Sequence, residues 1–149
     1  MEKAWLDSGG WLPDVYKALV AFDGAYDPKP AKYKSPFDFM VSAARALDIA
    51  AHPGMLEALS DLGQPQFVCQ KPTGYGDDEI FWLSPSGVVG RTNAAAQLAA
   101  AAPKGPEAAV LWEELCGTSN RQAEKWIRGA VDRPEGLLLM LLSPEFQWR

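Results

Sequence analysis

"SPFDFMVSAARAL", residues 35–47, decides the fold. Ser35 is a natural helix N-cap, Pro36 suits the first helical position, and Asp38 places an acid in the first turn. Phe37, Met40, Val41, Ala44 and Leu47 then recur at helical spacing, while Asp38, Ser42 and Arg45 gather on the opposite face. The spacing predicts an amphipathic helix that buries one side against a partner element.

The same grammar recurs along the chain. Residues 12–22 carry Leu12, Val15, Leu19 and Phe22 at helical spacing, and residues 53–62 form a shorter helix closed by Gly63. Ser84 and Pro85 open an alanine-rich helix to about residue 101. After the break "PKGP", three more segments follow: 107–116 closed by Gly117, 119–131 with a capping box from Ser119 to Gln122, and 132–142 capped by Asp132. In the second of these, Ala123, Trp126, Ile127, Ala130 and Val131 make the apolar stripe, and Glu124 pairs with Arg128. "LLLMLL", residues 137–142, is apolar all round, as in a buried helix. "SPEFQWR" starts a last turn or two.

The expectation is an all-α fold of six to seven short helices in an irregular bundle. One long Gly/Pro/aromatic loop, "GQPQFVCQKPTGYGDDEIFW" at 63–82, interrupts it. Strand-forming composition at 66–69 and 79–83 allows a minor β ribbon within that loop.

With 149 residues, 48% of them hydrophobic and 22% charged, the chain suits a single folded domain rather than a disordered one. The net charge of −5 lacks the basic footprint of a nucleic-acid binder, so no nucleic acid is expected. Six consecutive apolar residues are far from the ~18 of a membrane span, so no membrane insertion is expected either. Cys69 and Cys116 could form one disulfide, but two thiols far apart in sequence specify no pairing, and they read rather as buried free thiols. With one histidine, His52, and no close Cys/His spacing, neither a zinc site nor another cofactor is expected. His52 itself reads as a capping or surface residue.

Candidate chemistry centres on the loop and the helix after it. Asp77, Asp78 and Glu79 beside Gly-Tyr-Gly lack the alternating spacing of a calcium loop and read as a solvated turn. Arg91 shares a helical face with Val88, Ala95 and Leu98, and Asn93 shares the opposite one with Val89, Ala96 and Ala100. Both polar groups thus emerge among apolar neighbours and need buried partners. The expected arrangement is a loop folded over the 85–101 helix, with Arg91 clamping it through an acid or a carbonyl. The competing arrangement is an anion pocket at Arg91 roofed by Tyr75 and Trp82. Most of the six tryptophans read as core; Tyr75 with Trp82 is the pair suited to a ligand.

In their order, "YKSPFDFMVSAARAL", "LGQPQF", "PTGYGDD", "WLSPSGVVGRTNAA" and "LLSPEFQWR" resemble the C-terminal third of a bacterial family known as domain of unknown function 1800. The resemblance runs from Trp11 to Arg149. It implies a bacterial, often exported parent protein, several times longer, with a large N-terminal helical part and no established activity. This chain departs from the family in having Gly76 where proline is common, which makes that turn more permissive. The resulting expectation is a non-catalytic structural or interaction module. Its partner is then the N-terminal part of the parent, or a second copy through residues 137–142. A portion of a hydrolase-like enzyme, or a small-molecule or glycan-binding module using residues 73–82, is the alternative. Whether the protein is an enzyme, and where it resides, the residues leave open.

Overall fold

The computed structural model describes residues 1–26, 32–69, 71–117 and 120–149. Among them lie nine α-helices and no strand, the all-α architecture that the capping and spacing imply. The chain forms two compact units, Met1–Pro30 and Ala31–Arg149.

The first unit is a short helical pair, α1 (Glu2–Asp7) and α2 (Leu12–Val20), packed on each other. Ser8 ends α1 by donating its hydroxyl to the Ala4 carbonyl at 2.6 Å. Gly9 and Gly10 then reverse the chain at φ 63° and 84°, a region where a side chain is strained.

The second unit carries α3 (Pro36–Ala46), α4 (Gly54–Asp61), α5 (Pro85–Ala101), α6 (Ala108–Leu115), α7 (Arg121–Arg128), α8 (Arg133–Leu142) and α9 (Pro144–Gln147). The Ser-Pro starts act as their sequence implies. Ser35, Ser84 and Ser143 accept hydrogen bonds from the amides of Asp38, Gly87 and Phe146. Asp132 accepts from Glu135, whose own carboxylate takes the Val131 amide. Asn120 caps α7 through the amides of Gln122 and Ala123; Ser119, expected in that role, lies outside the described residues. Gly63 and Gly117 follow their helices at φ 85° and 72°.

The core is built on α8. Leu137, Met140 and Leu141 are fully buried, and α8 packs against α5, α6, α7 and α9. None of residues 137–142 is exposed; Leu138, Leu139 and Leu142 are half-buried. Alanines 94, 95 and 99 of α5 are buried, and their small side chains let the leucines of α8 approach the helix closely. Trp112 of α6 and Phe39 of α3 are both completely enclosed.

Three expectations need correction. Residues 66–69 and 79–83 form no ribbon: Phe67 sits at φ 61°, which no strand tolerates, and Glu79–Phe81 is a 3-10 turn. The one isolated β-bridge among the described residues instead joins Tyr33 to Trp148, antiparallel. In α3 the enclosed residues are Pro36, Phe39, Met40 and Ala43, so Phe37 and Val41 stand exposed at the edge of the apolar stripe. In α7 only Ala123 and Ile127 are buried; Trp126 faces solvent, and so does Val131 beyond the end of the helix.

Candidate functional site

Arg91 is enclosed, with 2% of its surface exposed. The cap at Ser84 fixes the start of α5, and the helical repeat turns Arg91 to the same side as Ala94, Ala95 and Leu98. Its guanidinium donates from Nη1 to Gln147 Oε1 at 2.8 Å and from Nη2 to the Lys34 carbonyl at 2.6 Å. The charge lies over two rings, 4.4 Å from the Tyr33 centroid and 5.3 Å from that of Phe39. Burial pulls the Arg91 pKa down, opposed by Tyr33, and burial raises the Tyr33 phenol. Arginine keeps its proton even so.

Gln147 is equally committed. Its Nε2 donates to the Leu141 carbonyl at 2.7 Å, and its own carbonyl accepts the Lys34 amide at 2.9 Å. Lys32 and Arg149 exchange backbone hydrogen bonds of 3.0 and 2.8 Å around the Tyr33–Trp148 bridge. The rings of Tyr33 and Trp148 meet edge-on at 5.3 Å, and Arg149 reaches Asp38 at 3.1 Å. Arg91 is therefore a clamp, but on different segments from those expected. It joins the stretch before α3 to the C-terminal turn, and the 63–82 loop supplies neither of its partners. Gln147 and the Lys34 carbonyl had no sequence signal, because nothing local marks a partner so distant along the chain.

The other expected residues divide. Tyr75 and Trp82 do come together, ring centroids 6.1 Å apart, with Trp82 buried. The Tyr75 hydroxyl is spent inside the loop, donating to the Pro65 carbonyl at 2.5 Å. Asp77 makes an exposed ion pair with Lys32, worth little in water. Asp78 is exposed and gives no side-chain cap to the turn it opens. Among the described residues no three His, Cys, Asp or Glu side chains gather as a metal site. Asn93 is exposed, not a buried amide: α5 is covered on one face only, and Val88 and Val89 are exposed as well. Cys69 and Cys116 are free and half-buried.

Gln64 explains the Gly-Gln-Pro segment. Its Oε1 accepts the Phe37 amide at 2.7 Å, so the loop begins by satisfying a free donor in the first turn of α3.

A groove of about 660 Å³ lies over α3 and α4, lined by apolar side chains apart from Arg45 and His52. A second concavity of about 400 Å³ shares Val41 and Arg45 with it and adds Lys34, Ser42 and Phe146. The Lys34 ammonium rests 4.0 Å above the Phe146 ring, and burial lowers its pKa. The sequence marked Phe37 and Val41 as core; their exposure is what opens the groove.

The family model for a protein of unknown function, DUF1800, matches residues 1–148. No curated protein and no solved structure matches the chain. Among the described residues no helix is long and apolar enough to cross a membrane. With the match spanning nearly every residue, the chain belongs to the DUF1800 family.

Proposed function

We propose that the chain is a non-catalytic interaction module, part of a larger helical protein whose remaining helical portion is its partner. The observation that carries this reading is the orientation of the 63–82 loop. Two of its polar groups, Gln64 and Tyr75, turn inward to hold the loop, while Asp77 pairs with Lys32 at the surface. Four of its apolar groups turn outward, Phe67, Val68, Ile80 and Phe81, while Trp82 is buried. A catalytic loop needs the reverse, with polar groups converging on a cavity.

Phe67 is the sharpest case. It is fully exposed, and it is held at φ 61°, a conformation that costs a non-glycine residue roughly 1–2 kcal/mol. A solvated, strained aromatic favours a surface that a partner completes. Arg91 supports the same reading, since both of its guanidinium ends already serve the fold. The glycan or small-molecule reading of Tyr75 and Trp82 has less support, because their rings pack on each other at a 51° tilt and Trp82 is buried.

The test is affinity for the N-terminal helical part of a longer member of the family, measured by calorimetry. Phe67→Ser with Phe81→Ser is expected to weaken binding by about tenfold or more, as for a central aromatic contact. Binding that is absent, or unchanged in the double variant, would overturn the reading.

A further inference from the structure

The two concavities beside α3 differ in character and meet at Val41 and Arg45. One end is apolar, with Phe37, Val41 and Leu56 exposed above the buried Met40 and Leu59. The other end is cationic. Lys34 and Arg45 border it, and among the described residues neither has an ion-pair partner. Of the nearby carboxylates, Asp38 holds Arg149 and Ser35, while Glu145 accepts from Asn120 through Oε1 at 2.7 Å and its buried Oε2 has no hydrogen-bond partner among the described residues. In a chain of net charge −5, this local excess of cations runs against the overall field.

We propose that this trough binds a single-chain amphiphilic carboxylate, a long-chain fatty acid, with its tail between α3 and α4 and its carboxylate at Arg45 and Lys34. The apolar part falls within the roughly 300–1,000 Å³ of small-molecule sites. Arg45 supplies a planar fork that matches a carboxylate, and Lys34 a point charge beside it. The charge of Asp38 reaches Lys34 and limits the negative charge this end can hold, so a monoanion suits it better than a dianionic phosphate head. The site shares no residue with the 63–82 loop and stands independently of the interaction reading.

The test is calorimetric titration of the whole chain with palmitate below its micelle concentration, beside hexadecanol of equal tail length. One palmitate is expected to bind per chain, and hexadecanol about tenfold more weakly or worse, because it lacks the charge-assisted hydrogen bonds. Leu56→Asp and Arg45→Glu both lie at exposed positions, so melting curves should confirm intact folding while each variant loses at least about tenfold in palmitate affinity. Phe67→Ser should leave palmitate binding unchanged, which separates this site from the loop surface. Absent palmitate binding, equal binding of hexadecanol, or full affinity in either groove variant would overturn the proposal. So would a dimer in sedimentation that Leu56→Asp dissociates, since a second copy would then be the groove's occupant.

Discussion

Arg91 and Gln147, 56 residues apart in sequence, meet at 2.8 Å inside the second unit. Together with the 2.6 Å bond from Arg91 to the Lys34 carbonyl, this contact ties three otherwise separate pieces: α5, the stretch before α3, and the C-terminal turn. A buried cation between two neutral oxygens and two aromatic faces is held by hydrogen bonds and ring electrostatics, with no carboxylate against it.

Replacing Arg91 by leucine leaves the Gln147 Oε1 and the Lys34 carbonyl without this donor, at about 1–3 kcal/mol for each buried group. Equilibrium urea unfolding is expected to show a loss of roughly 2–6 kcal/mol, with the midpoint lowered and the slope unchanged. Arg91→Lys keeps the charge but not the fork, and should fall between wild type and leucine.

Ser35→Ala removes the acceptor for the Asp38 amide and the hydroxyl bond to the Asp38 carboxylate. The expected loss is about 1 kcal/mol, recovered by Ser35→Thr, as read from thermal melts. An alanine variant as stable as wild type would show that the cap adds nothing beyond what packing supplies.

Gly136 faces α6. A β-carbon there would lie 2.8 Å from that of Ala108, with no flexible side chain to yield. Gly136→Ala should therefore destabilise by about 1–3 kcal/mol from overpacking, outweighing the ~1 kcal/mol that alanine gains in a helix. A more stable Gly136→Ala protein would mean that α6 and α8 can separate freely.

Burial pushes the Cys116 thiol up to about 11, against the attraction of Lys34 and with the help of Glu145. The folded chain holds this proton more tightly than the unfolded one, whose thiol titrates near 9.0. Its contribution to stability is thus complete below about pH 9 and is lost as pH rises toward about 11. Peptide mass analysis of iodoacetamide labelling should show Cys116 reacting slowly at pH 9 in the folded chain and rapidly in urea.

The sequence disclosed what is local. Helix starts at Ser35, Ser84, Asp132 and Ser143 were legible because a cap acts on amides two or three residues away. That Arg91 is enclosed was legible from its apolar neighbours. Its partners were not, because they are chosen by how α9 and the stretch before α3 pack. The pairing of residues 32–34 with 147–149 is too short for alternation to reveal it. Asn93 was misplaced because alanine tolerates either side of a helix, so α5 carries little signal of which face is covered. Phe37 and Val41 border the apolar stripe of α3, and only the contacts of Phe39 and Ala43 decide which edge closes. The groove followed from that choice.

The clamp is tested most directly by a double-mutant cycle on Arg91→Ala and Gln147→Ala, with stabilities measured in urea. The structure predicts a coupling of about 1.5–3 kcal/mol, the range of a buried hydrogen bond to a charged group. Two losses that add to within about 0.5 kcal/mol would contradict it, and would mean that Arg91 and Gln147 do not hold each other.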